Sequence, residues 1–551
     1  MANILIASLG ESPIVVTAMY DLLTTEEKQR ELGRIDKVVV LHPYGEMVQE
    51  GYGLIKTELE GVCELEPLML PFEDANDEQT SFTFLQVLFQ LLSTHQGNDD
   101  HVYLSLAGGR KSMSALMALV VPLFTCVKKL YHVLDKFEDE FRSIEELILE
   151  LPEYEQRAAM HPAHERLELV PIPFGNYHFV SDEFRSRLFT ITEEELDDLW
   201  DEEPEQADAL EFAQNIARSG KILEVLMTEH AATRYKKVFA HDAKHKKWLE
   251  KCLGKMRLSN KLRHGVHGNF STKSSRAVFH FYKSMRTPVR PFFHTEPKDI
   301  NACPDRDVER VIISELEIEK EDEYKQGEEI LRSLKFPLTP TIPVETIIPQ
   351  KAQESVESIL VVPLGKLPMI ATQLYVLLKS EGRNIREVVL IYPKLSRGVR
   401  ASAKIVIDAF EHENVGVTCW EAPVQKLKDV NSEDACLEYQ QSLEETIKKI
   451  RKKHPGWQIE LALSGGRKGM AALAMFVAQK VGIRYVYHTL ITDEIVSRKI
   501  DREMSTSVLE ELRGNKELRN NRLFLRDYEV KGEGPYIKFV LFRVPVLPAG
   551  K

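Results

Sequence analysis

The feature that most limits what this chain can fold into is a repeat whose two copies lie some 350 residues apart. SLAGGRKSMSAL (105–116) returns as ALSGGRKGMAAL (462–473). The likeness extends well beyond the glycines. NILIASLGESPIVVTAMYDLL (3–23) aligns without gaps on SILVVPLGKLPMIATQLYVLL (358–378), with identities at Ile4/Ile359, Leu5/Leu360, Leu9/Leu364, Gly10/Gly365, Pro13/Pro368, Thr17/Thr372 and Tyr20/Tyr375. DKVVVLHP (36–43) answers REVVLIYP (386–393), and KLYHVL (129–134) answers RYVYHTL (484–490), in the same order. One unit is therefore present twice, and a chain of 551 residues has room for both copies plus a further domain.

Within each copy, short apolar strands alternate with helical segments, the pattern of a parallel sheet covered on both faces. The expected class is α/β, with two Rossmann-like parallel-sheet domains related by internal duplication and a mainly helical domain between them. The boundaries are 1–180, 181–350 and 351–551. In such sheets ligands bind beyond the carboxyl ends of the strands. The loops LGESP, after the first strand, and AGGRK, after a later one, both leave at that edge and should converge on one crevice.

The GGRK turn suits a phosphate. Paired glycines let backbone N–H groups approach closely, the following helix presents its positive end, and Arg and Lys add a forked donor and a mobile charge. A glycine-rich strand-to-helix turn can also be purely structural, but two copies, each paired with an L-G-x-x-P loop, favour the anion cradle. Neither a Walker loop nor the G-x-G-x-x-G dinucleotide fingerprint is present. A net charge of -13 argues against broad wrapping of duplex nucleic acid, so an anionic ligand must be held by local basic groups. The six cysteines are scattered with no C-x-x-C pair, which predicts reduced thiols and no metal site. No stretch approaches the roughly 20 apolar residues of a membrane helix, and the first apolar run lacks a basic leader. The expectation is a cytoplasmic protein without membrane association.

Taken together, ILIASLGESPIVVTAMYDLL, VYLSLAGGRKSMSALMAL and YHVL resemble the CRISPR-associated Rossmann fold (CARF) family, in the branch marked by S-L-A-G-G-R-K-x-M. The resemblance covers roughly 1–180 well and 355–551 more loosely. It implies binding of cyclic oligoadenylate, the messenger of type III CRISPR complexes, with cyclic tetra-adenylate favoured and no cofactor. Such domains work in pairs, each giving one L-G-x-x-P and one G-G-R-K loop to a ring lying across a two-fold axis. Both partners stand here in one polypeptide, as an internal pseudo-dimer in a monomer or within a homodimer. The ligand-binding residues carried over are Ser8, Gly10, Ser12, Gly108, Gly109, Arg110, Lys111 and Ser112 in the first copy. In the second they are Gly365, Lys366, Gly465, Gly466, Arg467 and Lys468. Pro363 stands opposite Ser8, Leu367 opposite Ser12 and Gly469 opposite Ser112, so the binding elements are symmetric but the hydroxyls are not. Some family members also cut the ring, and Ser8, Ser12 and Lys111 are the candidates for that activity.

The middle segment shows helical spacing of Leu, Phe, Ile and Met in its first half and ends in KFPLTPTIPVETIIPQ (335–350), a Pro-rich connector. Within KMRLSNKLRHGVHGNF (255–270), Arg257, Asn260 and His264 resemble the R-x(4–6)-H signature of HEPN ribonucleases. Asn260 and His264 would share one helical face. That resemblance implies metal-independent cleavage of single-stranded RNA, with His264 as base and Arg257 stabilising the phosphorane. Ser259 stands where many members carry arginine, and Arg263 with His267 forms a competing pair. A basic, solvated helix end gives the same pattern. The leading expectation is a ring-activated ribonuclease, with a ring nuclease and a non-catalytic sensor as alternatives.

Overall fold

The computed structural model describes residues 1–174 apart from 11, 74–77, 110 and 138–140, and scattered positions between 192 and 214. It further describes 223–258, 262, 266–271, 278–282, 289–296, 310–318, 341–343 and 357–546 apart from 414–415, 464, 484, 492–503 and 525–538. The chain divides into two compact units. One combines Met1–Asp182 with Val356–Lys551, and the other is Glu183–Ser355.

The first unit contains two six-stranded sheets of one design. In the N-terminal sheet, β1 (Asn3–Ser8), β2 (Lys37–Pro43), β3 (Glu64–Leu70), β4 (His101–Ser105), β5 (Val127–Asp135) and β6 (Leu167–Pro171) run in the order β3-β2-β1-β4-β5-β6. In the C-terminal sheet, β13 (Glu357–Pro363), β14 (Asn384–Pro393), β15 (Thr418–Val424), β16 (Gln458–Ala462), β17 (Tyr485–Ile491) and β18 (Phe539–Pro545) run β15-β14-β13-β16-β17-β18. Each sheet is parallel except for its last strand. The register repeats as well: Ile4 pairs with Lys37 and Val102, and its counterpart Ile359 pairs with Glu387 and Ile459. The α/β class and the Rossmann-like layout expected from the repeat are what the chain adopts.

Side-chain details follow the same duplication. Thr17 Oγ1 donates to Ile14 O and to Met160 O, the last residue of the Glu153–Met160 helix. Thr372 Oγ1 donates to Met369 O (3.0 Å) and Leu523 O (2.6 Å), at the end of the Lys516–Leu523 helix. A conserved position in the repeat thus fastens a late helix onto the first one in each half. The helices that follow the GGRK turns, Lys111–Val120 and Lys468–Val481, are buried from Ser112 to Val120 and from Gly469 to Gln479. A helix apolar on every side must lie in an interior. These two pack on each other, and Gln479 Nε2 donates to Leu119 O at 3.2 Å across the join.

The middle unit differs from its expectation. It carries a six-stranded sheet in the order β12-β7-β11-β10-β9-β8, formed by β7 (Glu224–Thr228), β8 (Val266–Ser271), β9 (Val278–Tyr282), β10 (Val289–Glu296), β11 (Arg310–Ile318) and β12 (Thr341–Pro343). β7 and β11 are parallel and the other pairs antiparallel. The helix Ala243–Met256 packs Leu249, Cys252, Leu253 and Met256 into one core with Val225, Met227, Phe293, Val311 and Ile313. Among the described residues the mainly helical reading gives way to a mixed unit with a sheet, because VFHFY, VRPFFHTE and RVIISELEI are rich in β-branched and aromatic residues, which favour strands. The Pro-rich connector is partly an edge strand: Thr341–Pro343 pairs with β7, where a proline needs no donor of its own on the open side.

Candidate functional site

In each Rossmann-like sheet the chain reverses its direction of travel across the sheet between β1 and β4, or between β13 and β16. The crevice at such a switch point is where α/β sheets bind ligands. The L-G-x-x-P loop leaves β1 and the G-G-R-K loop leaves β4, so the two loops flank it.

The first-copy loops touch through backbone. Leu9 N bonds to Leu41 O at 2.7 Å and Leu106 N to Tyr131 O at 2.8 Å, fixing both exits. Ser8 Oγ, fully buried, donates to Gly108 O at 2.8 Å. A Cβ on Gly108 would lie 1.5 Å from Ser8 O, and one on Gly10 would lie 2.8 Å from Gly109 Cα. Gly109 has φ +70°, the left-handed region that glycine adopts freely. The glycines are required by this close approach, and Ser8 acts as a latch holding the turn against β1.

The second copy builds the same crossing differently. Leu364 N bonds to Ile391 O and Leu463 N to Tyr487 O, as in the first copy. A Cβ on Gly365 would lie 1.7 Å from Gly465 O, and Gly466 is packed against Met470. The positive φ has moved from the second glycine to the first, Gly465 at +115°. Pro363, opposite Ser8, has no hydroxyl to capture a carbonyl, so the Gly465 oxygen faces Gly365 instead. Lys366 is anchored through its carbonyl, which accepts Ser402 Oγ at 2.8 Å and Thr506 Oγ1 at 2.7 Å.

The two copies meet at these loops. Lys468 Nζ donates to Ala107 O at 2.5 Å, one residue before Gly108. Gly469 packs its Cα against the first copy, where an added Cβ would be 3.2 Å from Ile172 Cδ1 and 3.7 Å from His132 Cδ2. His132 is buried and its Nδ1 has no hydrogen-bond partner among the described residues. Burial, followed by the nearby Lys468 and Arg467 cations, pushes its imidazole down to about 3. Arg467 makes a two-pronged pair with Asp429, Nε to Oδ1 at 3.0 Å and Nη2 to Oδ2 at 2.7 Å. The Ser12 and Ser112 hydroxyl oxygens are buried with no hydrogen-bond partner among the described residues. Lys111 opens its helix.

Of the expected residues, Ser8, Gly10, Gly108 and Gly109 come together in one copy and Gly365, Gly465 and Gly466 in the other. Arg110 lies outside the described residues. Sequence reasoning missed Asp429, which its pair with Arg467 brings to the site, and His132 comes there by packing beside Gly469. In the middle unit, Arg257 ends the Ala243–Met256 helix, and its carbonyl accepts Leu223 N at 2.8 Å. Asn260 and His264 lie outside the described residues, and by Val266 the chain is a strand. Among the described residues no group of three or more His, Cys, Asp or Glu is placed to hold a metal ion, and no helix is long and apolar enough to cross a membrane.

Comparison with known proteins places these loops in a family. No curated protein matches the chain. Among solved structures, Enterococcus italicus Csm6 bound to cyclic hexa-2′-fluoro-hexa-dAMP is similar at 16% identity and a TM-score of 0.23, over 40% of this chain and 53% of that one. The match therefore spans about half the length of that protein. The family model described as CRISPR-associated protein NE0113 (Cas_NE0113) matches residues 9–198 and 368–548, taking in both GGRK turns. That is well over half the chain, which belongs to the CRISPR-associated protein NE0113 family.

Proposed function

We propose that the chain is a type III CRISPR ancillary effector that binds cyclic oligoadenylate, preferring cyclic tetra-adenylate, across its two Rossmann-like copies. The observation that carries this is the meeting of two G-G-R-K turns, each crossed by its own L-G-x-x-P loop, with Lys468 of one reaching Ala107 of the other. A pseudo-symmetric pair of cradles matches a ring with repeated phosphates. Helix N-termini and the Arg and Lys side chains supply the positive potential that a chain of net charge -13 otherwise lacks.

Ring occupancy would then control the middle unit, where Arg257, Asn260 and His264 are the candidates for metal-independent cleavage of single-stranded RNA. A second reading, cleavage of the ring itself, is favoured by Ser12, whose buried hydroxyl in the first-copy loop has no partner among the described residues. A buried hydroxyl left unbonded is costly, and a ribose or phosphate oxygen would satisfy it.

Both readings are tested by incubating the protein with cyclic tetra-adenylate and labelled single-stranded RNA, with and without EDTA, and following both molecules. RNA cut only with the ring present, in EDTA, and lost in His264→Ala supports the ribonuclease. A ring made linear while RNA stays whole supports ring cleavage. Failure to bind any cyclic oligoadenylate overturns the proposal.

A further inference from the structure

The C-terminal half-site is already occupied by the protein's own carboxylate. Arg467 gives Nε and Nη2 to the two oxygens of Asp429 in a fork-to-fork pair. That is the geometry in which a guanidinium takes two non-bridging oxygens of a phosphate, and one fork holds only one such partner at a time. The pair is neither sealed nor loose: its side chains are 27% and 34% exposed, so an incoming anion can reach it.

Asp429 is itself held. Its Oδ1 also accepts Val430 N at 2.8 Å. Two residues further on, Asn431 Nδ2 donates to Glu168 Oε2 at 3.1 Å in the N-terminal copy, and Ser432 caps the Glu433–Lys453 helix by accepting Ala435 N. The segment carrying the carboxylate is thus tied to both copies.

We infer that Asp429 competes with a ligand phosphate for the Arg467 fork, so that it sets the affinity of the C-terminal half-site and is displaced when the ring binds. This inference rests on the proposed binding of cyclic oligoadenylate. The competing anion is a phosphodiester, the linkage of the proposed ring, whose two non-bridging oxygens match the Arg467 fork as the Asp429 carboxylate does.

The test is calorimetric titration of the full chain with cyclic tetra-adenylate. Asp429→Asn keeps the side-chain shape and removes the charge, and Asp429→Ser provides a second variant in case the first perturbs folding. Both should bind the ring about five- to tenfold more tightly than the unaltered chain, the scale of a partly exposed, two-pronged ion pair. Asp434→Asn, which removes the same charge from an exposed position in the first turn of the neighbouring helix, should change affinity little. In an Arg467→Ala background, Asp429→Asn should have no further effect. Equal or weaker binding by both Asp429 variants overturns the inference while leaving ring binding intact, as does an equal gain in Asp434→Asn. If the unaltered chain and every variant fail to bind any ring, the functional reading fails and the competitor role fails with it.

Discussion

Replacing Gly108 by alanine puts the loop crossing to its most direct test. The new Cβ would lie 1.5 Å from Ser8 O and 2.6 Å from Ser8 C. Side-chain carbons are essentially never closer than 3.0 Å to such atoms, so the two backbones must separate by roughly 1.5 Å. Neither side can yield cheaply: Ser8 ends a strand buried on both faces, and Leu106 is tied to Tyr131. Forced displacement of packed backbone costs about 2 to 4 kcal/mol. For a half of this size that is a fall of roughly 4 to 16 °C in its unfolding midpoint. The separation also breaks the Ser8 Oγ bond to Gly108 O and moves the cradle, so ring binding should weaken by at least about a hundredfold, since positioning errors of this size are severe. The matched control is Gly482→Ala. That residue has φ +67° and open space around its Cβ position, so it bears backbone strain alone, about 1 kcal/mol, and should bind normally. Calorimetric unfolding and ring titration of both variants decide the matter. Unaltered binding by Gly108→Ala would show that the two loops need not touch to form the site.

Two further outcomes follow from the duplicated halves and from the buried histidine. Thr17→Val and Thr372→Val each remove a hydroxyl that fastens a late helix, so each should cost about 1 to 2 kcal/mol in denaturant unfolding, in equal measure for the two halves; a loss in only one would contradict their equivalence. His132 is depressed to about 3 when folded, against about 6.5 when unfolded, so between those values the unfolded chain binds the extra proton. Its contribution to stability is therefore complete above pH 6.5 and falls away as pH drops toward 3. His132→Gln should flatten the acid limb of an unfolding-midpoint profile, leaving the share due to His294, depressed to about 4 by burial in the middle unit. A profile unchanged by His132→Gln would refute the assignment.

Much of the first unit was legible because its information is local and repeated. Alternating apolar strands and helices set the layer order, and an ungapped repeat carried strand register from one copy to the other, from Ile4 to Ile359. The paired glycines of both turns and the L-G-x-x-P loops pointed to one edge of each sheet because parallel topology leaves them nowhere else to go. The middle unit was less legible. Its first half has helical spacing, and that pattern masked the later segments VFHFY and RVIISELEI, whose strand character shows in their composition but whose pairing partners lie far along the chain.

What the sequence determined by itself is the duplication, the α/β class of the two flanking copies and the residues of the two G-G-R-K turns. What only tertiary structure decided is how each group is used. Ser8 is committed to a backbone carbonyl, and the carbonyl of the corresponding turn is differently placed where proline replaces it. Asp429 closes on Arg467 across 38 residues, and Lys468 reaches Ala107 across 361. The reason is physical: local propensity is written in neighbouring residues, whereas a contact between distant ones depends on the packing of every element between them, which no short window of sequence contains.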